Sequence, residues 1–463
     1  MVFHKNKEFY FLIIAFFILI IKYGLQYISP FTNTDGPWTL SPAISYLNGN
    51  YNASTFSHDY LGEVFTVHVF QVISAPFFYF FGVSTNSLFA FNLVLIFISS
   101  VIIYCLVKSS KSGLLKFLVF TFVIILNMYL LNFRVETIGV LFGLLIILIQ
   151  QRIIRKNIRL VLFAIILGCS GLIHPIMGVG NGLLALYILI KNLYKLRDYF
   201  FLFIGTIVCL FVFSEGNILS FLSNVYGNSI EVANHTFSIT LIFKYIFYNP
   251  ILLFIFYIIY KNYKLDIFYI ILAIIILSFF GRSYYFSYLI PIAILIIINE
   301  DRKIVLYSVE KMILIILVLI GFFWSYILPF GVYVENPKYG NTMRMILNKS
   351  KLILNEMDKS GYLWVPSQIG MEVMDNKNSR MYFHSYKTIS TEKINLGEGD
   401  KLLIYELSDL KNIYKNLGPS KEELLIEEII KPVKGKLKMS ELFKKRSDSI
   451  GLWSIQLKRK QEK

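Results

Sequence analysis

Side chains that could bind a polar ligand or move a proton occur in this sequence where long apolar runs end. An ionisable residue near the depth of a membrane is costly to leave unpaired, so each is a functional candidate. Acids, cations and tyrosines gathered on one face of an apolar bundle would suit a cavity for an amphipathic substrate. The candidates are Asp35, His58, Asp59, Glu63, His68, Arg134, Glu136, His174, Glu215, Arg282, Tyr284 and Tyr285.

Each candidate also has a purely structural interpretation. Asp35 belongs to an Asp-Gly dipeptide, which favours a turn. Arg134 and Glu136 could pair at a helix end, and His174 could be an interfacial histidine between two linked spans. Arg282, beside two tyrosines, could anchor the chain at the lipid boundary. No single residue decides between the two interpretations, but their collection on one face favours a functional site.

The composition places these residues in a membrane protein. Of 463 residues, 56% are hydrophobic and 16% are charged, whereas a soluble domain has about a quarter charged. Several apolar runs approach the about 20 residues that a helix needs to cross a bilayer. The net charge of +16 comes from short Lys and Arg clusters between those runs, a pattern that sets topology and predicts no nucleic-acid partner. Cys105, Cys169 and Cys209 are too scattered for a metal motif and are interpreted as core residues.

The N-terminal lysines predict the orientation of the first span. Lys5 and Lys7 should stay in the cytoplasm, so residues 9–28 run outward and Asp35 lies outside. This apolar segment is longer than the apolar region of a signal peptide, and no small-residue cleavage site follows it. It is therefore predicted to be a span and not a cleaved signal.

The apolar segment at residues 65–81 decides the orientation of everything that follows. If it crossed the membrane, the basic clusters at 108–116 and 151–159 would face outside, against the charge rule. It is interrupted by His68, Gln71 and Pro76, as expected of an interfacial or re-entrant helix. With this helix on the outer surface, five basic clusters face the cytoplasm: residues 108–116, 151–159, 191–197, 261–264 and 300–303.

This topology predicts an all-α polytopic bundle of about eleven spans over residues 1–329, with a first outer loop at 29–86. The ten spans after the first lie at about 87–107, 116–132, 137–150, 159–173, 176–190, 199–213, 241–260, 265–280, 284–299 and 308–328.

Residues 330–463 differ in composition and predict a small extracytoplasmic α/β domain. GYLWVP and KLLIYEL have strand-like patterns, and SKEELLIEEIIK has a helical one. Trp364, Tyr405 and Trp453 lie in apolar context, which argues against a disordered tail.

Four segments at the outer ends of the predicted spans share a recognisable pattern. TDGPWTLSPAISYLNGNY follows the first span with an acid, an alanine-bearing helix, a glycine and an aromatic residue. HVFQVISAPFFYFFGVSTNSLFAFNLV precedes the second span, and NFRVETIGVLFGLL and GRSYYFSYLIPIAILII place charged and aromatic residues at outer loops. The arrangement resembles the GT-C superfamily of integral-membrane glycosyltransferases, especially the group of protein O-mannosyltransferases and lipid A aminoarabinose transferases. The resemblance covers residues 1–330.

The resemblance implies transfer of a sugar, with inversion, from a polyprenyl-phosphate-linked donor to an acceptor hydroxyl on the outer face. It implies that Asp35 is the base on the acceptor side, opposite the leaving group. Arg282 and Arg134 are the expected ligands of the leaving phosphate, with His174 and Tyr285 as weaker donors.

Other residues have supporting roles in this scheme. Glu136 would orient Arg134 or, with Asp35, bind a divalent cation, and the sequence leaves both roles open. The bundle would hold the lipid tail, while the first outer loop, with substrate contacts expected from His58, Asp59 and His68, would roof the sugar.

The chain departs from the family pattern at Gly36, where many relatives have a second acid, and at His174, where many have a lysine. Metal use and the donor head group therefore stay open. An O-antigen-type polymerase or ligase is one alternative, and a transporter is another, although no paired inverted halves are evident. The expected partners are the lipid-linked donor, a glycan, lipid or protein acceptor, and membrane lipids, in the plasma membrane of a bacterium or archaeon.

Overall fold

The chain forms a mostly helical structure with a small C-terminal sheet. The computed structural model describes residues 68–107, 135–214, 264–278, 283–298, 307–322, 337–357, 361–373, 378–382, 399–406, 424–436 and 447–457, and positions 13, 16, 17, 20, 21, 23, 24, 40, 43, 44, 47, 240, 257, 260 and 396. Its contacts divide it into two compact units. The first comprises Met1–Lys22, Val67–Val69 and Asn92–Leu328, and the second comprises Tyr23–Thr66, Phe70–Phe91 and Pro329–Lys463.

The helices follow the apolar runs of the sequence. They are α1 (His68–Phe81), α2 (Thr85–Val107), α3 (Val135–Arg152), α4 (Lys156–Ile173), α5 (Pro175–Lys191), α6 (Leu196–Phe213), α7 (Lys264–Ser278), α8 (Leu289–Ile298), α9 (Ser308–Phe322) and α10 (Pro337–Glu356). A 3₁₀ turn, Ser283–Tyr288, leads directly into α8.

Within the described residues, four helices are long and apolar enough to cross a bilayer, namely α2, α3, α4 and α6. Three shorter apolar helices, at Pro175–Lys191, Phe268–Ser278 and Tyr285–Ile296, coincide with further predicted spans. The predicted spans at 116–132 and 241–260 lie outside the described residues, apart from Tyr257 and Tyr260, which are helical. The total of eleven spans stays a prediction.

Helices α4 and α6 run parallel and approach each other through small residues. A methyl group at Gly168 would lie 2.6 Å from the Cβ of Cys209, and one at Gly205 would lie 3.0 Å from the Cβ of Ala164. Each helix thus presents two small residues four positions apart, the spacing that lets membrane helices pack closely. The three cysteines are free and half-buried, and Cys209 serves in this packing.

The helix ends that border the basic clusters lie together, and we name this the basic end of the first unit. Arg152, at the end of α3, donates a hydrogen bond to the backbone oxygen of Cys105 in the last turn of α2, at 3.3 Å. Lys156, at the start of α4, forms an ion pair with Asp198 in the first turn of α6. The ends next to three of the clusters are therefore neighbours.

Two further contacts extend the basic end. Lys191, at the end of α5, forms an ion pair with Asp266 in the first turn of α7. The hydroxyl of Tyr257 donates to Oε1 of Glu310, in the first turn of α9, at 2.6 Å. The helix ends beside all five basic clusters thus belong to one end of the unit, which is the grouping that the charge pattern predicts. The side of the membrane that this end faces stays a prediction.

The segment predicted to lie on the outer surface forms α1, which has 14 described residues with Pro76 among them, most of them in the second unit. A helix that crosses a bilayer needs about 20 residues. The chain then turns at Gly82, whose φ of 74° is readily adopted only by glycine. Ser84 caps the next helix, because its Oγ accepts a hydrogen bond from the backbone N–H of Ser87 at 3.1 Å.

The short helix predicted after Asp35 is present in the second unit at the positions that the structure describes. Leu40, Ala43, Ile44 and Leu47 are helical, and the first three are fully buried. Their spacing of three, one and three residues gives a helix one apolar face. This face is what holds the segment in place.

The sheet of the second unit has five strands within the described residues. They are β1 (Leu363–Pro366), β2 (Ser379–Tyr382), β3 (Lys401–Glu406), β4 (Leu424–Lys436) and β5 (Ser447–Leu457), in the order β2-β1-β3-β5-β4. Strand β1 pairs in parallel with β2 and β3, whereas β5 pairs antiparallel with β3 and β4. Helix α10 packs against β4 and β5. The C-terminal segment is therefore an α/β domain, and its two predicted strands are confirmed.

The helix predicted for SKEELLIEEIIK is wrong, because β4 occupies most of that segment. It pairs with β5 from Leu424 opposite Leu457 to Lys436 opposite Ser447. Pro432 lies at a register shift in this edge strand, which is where a sheet tolerates proline. The long antiparallel pairing outweighs the local helical pattern, since strand formation depends on cross-strand neighbours more than on intrinsic preference.

Candidate functional site

Two glycines and a tyrosine fix the contact between α3, α5 and the 3₁₀ turn. A methyl group at Gly139 of α3 would lie 2.3 Å from Cε1 of Tyr288, and one at Gly180 of α5 would lie 2.6 Å from its Cβ. Tyr288 itself is 1% exposed. The three elements can meet here only because neither glycine has a side chain in the space that the tyrosine fills.

One turn from this contact, His174 lies against Tyr285, with ring centroids 5.8 Å apart. His174 joins α4 to α5 in an extended conformation, with φ of −160° and ψ of 123°. The following Pro175 explains this, because proline disfavours helical geometry in the residue before it and is well suited to the first turn of the next helix. The sequence thus breaks the chain at His174 and places its ring at the buried Tyr285.

Glu136 is buried in the first turn of α3, with 1% of its surface exposed. The partial positive charge of a helix N-terminus favours a carboxylate at this position. Its helix ends at Arg152, so the buried acid and the basic end are separated by about 24 Å along the axis at 1.5 Å per residue.

These three residues lie at one level of the unit. This level is defined by the contact among Gly139, Met177 and Tyr288. A methyl group at Gly139 would lie 2.9 Å from Cγ of Met177 as well as close to Tyr288. Glu136, His174 and Tyr285 each precede one of these residues by three positions, which is about one turn. Because α3, α5 and the turn into α8 run in the same direction, the three residues lie at the same level, about one turn from this contact. We name Glu136, His174 and Tyr285 the polar cluster.

Two buried hydrogen bonds tie helices together near the polar cluster. Thr137 donates through its hydroxyl to Oδ1 of Asn92 in α2 at 3.2 Å, and Asn181 in α5 donates to the hydroxyl of Ser170 in α4 at 3.0 Å. Such bonds hold helices together where no water competes. These four residues and Tyr288 are not among the sequence-based candidates. Asn92 and Asn181 could have been found, because a lone asparagine inside an apolar run is itself a signal.

Two of the remaining candidates lie among the described residues. His68 is the first residue of α1 and belongs to the first unit, and Tyr284 lies in the 3₁₀ turn beside Tyr285. Outside the described residues are Asp35, His58, Asp59, Glu63, Arg134, Glu215 and Arg282.

The divalent cation that the sequence leaves open has no site within the part of the chain that the structure describes, where no three His, Cys, Asp or Glu side chains group as ligands. Asp35, the acid proposed to share a metal with Glu136, lies outside those residues. Binding of a divalent cation therefore stays a prediction.

The fold and site define a class: a mostly helical protein with apolar, membrane-compatible helices and, within the described residues, a polar cluster around the buried Glu136. No protein-family model, no curated protein and no solved structure matches the chain. The resemblance to GT-C glycosyltransferases therefore rests on the sequence segments alone.

Proposed function

We propose that the protein is a multi-pass membrane enzyme that transfers a sugar from a polyprenyl-phosphate-linked donor to an acceptor hydroxyl. The observation that carries the proposal is the polar cluster at the end of the first unit opposite the basic end. By the charge rule the basic end faces the cytoplasm, so the polar cluster faces outward. A lipid-linked sugar needs this combination of an apolar bundle for its tail and polar groups at one membrane surface for its head.

Binding of the donor phosphate is assigned to cations and hydrogen-bond donors at this end. His174 and Tyr285 can donate hydrogen bonds to phosphate oxygens. Arg134 immediately precedes α3, and Arg282 immediately precedes the 3₁₀ turn, so the sequence attaches both arginines to the elements that carry Glu136 and Tyr285. A guanidinium binds two oxygens of a phosphate at once and stabilises the charge that develops as the sugar leaves.

The base is assigned to Asp35. It would take the proton from the acceptor hydroxyl as the hydroxyl oxygen attacks the anomeric carbon and the phosphate departs on the opposite side. Gly36 lets the chain bend after the acid and Pro37 stiffens it. The buried helical face that begins at Leu40 holds the segment that follows.

The proposal includes eleven spans and a C-terminal domain on the outer side. Within the second unit, the backbone N–H of Thr85, at the start of α2, donates to Oε1 of Glu372 at 2.9 Å. Glu372 lies in the C-terminal segment, so this contact supports placing the C-terminal domain on the side of the membrane where α2 begins. The favourable position of a carboxylate at a helix N-terminus explains the contact.

The test is sugar transfer by Asp35→Asn in reconstituted protein. Asparagine keeps the size and is itself a good turn former, so a turn residue would tolerate the change. Loss of a positioned base lowers the rate by about 10²- to 10⁴-fold, with expression and donor binding unchanged. Asp59→Asn is the comparison variant, because an acid that only contacts the substrate should lower transfer much less than the base does.

Transfer by Asp35→Asn within about threefold of wild type, well below the loss expected of a base, would overturn the assignment. Glu136→Gln and Asp59→Asn would then show where the base is. A wild-type protein that binds the donor and moves it across the bilayer without transfer would instead support the transporter alternative.

A further inference from the structure

At the basic end, the ring of Tyr194 lies beside two cations. Tyr194 belongs to the turn between α5 and α6. Nζ of Lys156 lies 4.8 Å from the ring centroid, and Cζ of Arg159 lies 5.9 Å from it. Nη1 of Arg159 also donates to Oε1 of Gln150 at 3.1 Å. The guanidinium is therefore held in place between the end of α3 and the turn after α5.

Two hydrogen-bond donors in this arrangement are buried and unused. Nε of Arg159 and the hydroxyl of Tyr194 have no hydrogen-bond partner among the described residues. A buried donor without an acceptor is costly, and a planar guanidinium edge with a neighbouring hydroxyl suits the oxygens of a phosphate. The arrangement is that of a site for an anionic oxygen ligand.

The surrounding charge favours an anion strongly. Residues 150–198 contain seven Lys or Arg and one acid, Asp198. That carboxylate is already engaged by Lys156 and by the backbone N–H of Lys195, the latter at 2.8 Å. The only other acid that pairs with these cations among the described residues is Asp266, on Lys191. Positive charge therefore exceeds negative charge around Arg159.

Exposed apolar side chains lie among these cations. Ile154, Leu193 and Leu196 are 93%, 89% and 76% exposed, and Leu193 has a φ of 50°, which is unusual for a residue with a branched side chain. Below Leu196, α6 continues with the exposed rings of Phe200 and Phe203 on the same face. Apolar groups mixed with cations at a helix end suit the boundary between lipid head groups and acyl chains.

We propose that Arg159, Tyr194 and Lys156 form a binding site for the phosphate of an anionic phospholipid. Nε of Arg159 and the Tyr194 hydroxyl donate to the phosphate oxygens, and the surplus of cations in residues 150–198 supplies charge. The acyl chains pack along the exposed face of α6 that begins at Leu196. The apolar surface, which a free phosphate would not use, identifies the ligand as a lipid. This site is separate from the polar cluster and does not depend on the proposed function.

The test is native mass spectrometry of purified protein with phosphatidylglycerol or with phosphatidylcholine of the same acyl chains. Wild type should retain phosphatidylglycerol preferentially. Arg159→Lys keeps the charge but removes Nε, and Tyr194→Phe removes only a hydroxyl, so each should lower that affinity about tenfold, the loss of one charge-assisted hydrogen bond. Arg155→Lys, at an exposed arginine, and Tyr199→Phe, at a half-buried tyrosine, are the matched controls and should bind as wild type does.

Three results would overturn the proposal. Equal retention of the two lipids by wild type would mean that no anionic head group is recognised. Unchanged binding in both Arg159→Lys and Tyr194→Phe would mean that diffuse positive charge attracts the lipid without a site. Displacement of phosphatidylglycerol by excess inorganic phosphate would identify a free phosphate as the ligand.

Discussion

The two ends of the first unit differ in the side chains that accompany their buried acids. At the basic end, cations are exposed, with 79% of the Arg197 side chain accessible, and the acids Asp198 and Asp266 are each held by a lysine. At the other end, Glu136 is 1% exposed and the adjoining His174 and Tyr285 are packed against each other. Cations thus lie at the surface at one end, whereas acids are buried at both ends, beside lysines at the basic end and at the level of His174 and Tyr285 at the other.

This difference separates residues that orient the chain from residues that can do chemistry. Exposed cations stay hydrated, so they cost little free energy, and their number and position set the topology. A buried acid must be compensated by its surroundings, as lysines do for Asp198 and Asp266, and a buried acid beside groups that can bind a ligand is a functional candidate. The polar cluster is the stronger functional candidate because it places a buried acid at the level of a histidine and a tyrosine. At the basic end, only Arg159 and Tyr194 call for a ligand.

The largest expected effect is all-or-none. It concerns the side of the membrane that each end of the first unit faces. In a background without the three native cysteines, Ser84→Cys and Asn336→Cys should react with an impermeant thiol reagent from outside. Ser110→Cys, in a basic cluster, should react only after the membrane is permeabilised. Labelling of Ser84→Cys from the cytoplasm would make residues 65–81 a true span and would reverse every orientation that follows it.

A smaller effect is expected for Arg282→Lys, which tests whether the outward end binds phosphate. Lysine keeps the charge but cannot hold two oxygens in one plane, so donor affinity should fall about tenfold while the fold is intact. Donor titration of wild type, Arg282→Lys and Arg282→Ala measures it. If all three proteins bind the donor equally, Arg282 is a membrane anchor with its neighbouring tyrosines.

The smallest expected effect concerns the packing that supports the polar cluster. Gly180→Ala would place a methyl group 2.6 Å from Cβ of Tyr288, whereas no atom lies within 4 Å of a methyl group at Gly182, on the same helix. Overpacking typically costs about 1–3 kcal/mol. Gly180→Ala should therefore lower the thermal midpoint in detergent, and Gly182→Ala should leave it unchanged. Equal midpoints would show that Tyr288 can move away freely.

Much of the helical unit could be predicted from the sequence, because apolar length and cation position report directly on the membrane. The helix bounds at Thr85, Lys156 and Pro175 lie within three residues of the predicted starts. The pairing of His174 with Tyr285 could not be predicted, since it depends on Gly139 and Gly180 admitting Tyr288. Such contacts join residues more than a hundred positions apart, and no local pattern encodes them.

The C-terminal domain was less predictable for a related reason. The strands at Leu363 and Lys401 are short, apolar and buried, so their local pattern is unambiguous. Strand β4 is largely exposed at the sheet edge and mixes acids with apolar residues, which imitates an amphipathic helix. Only its partner β5, which follows later in the chain, determines that it is a strand. Pro432 was the sequence feature that is compatible with an edge strand.

The most direct test of the central claim is the identity of the lipid bound at the polar cluster. Lipids extracted from purified wild type and analysed by mass spectrometry should include a polyprenyl phosphate that carries a sugar. Tyr285→Phe should retain less of it, while Tyr199→Phe, at the basic end, should retain as much as wild type. Bulk phospholipids alone in wild type, even after a polyprenyl-phosphate sugar is supplied, would contradict the account, as would equal retention in Tyr285→Phe.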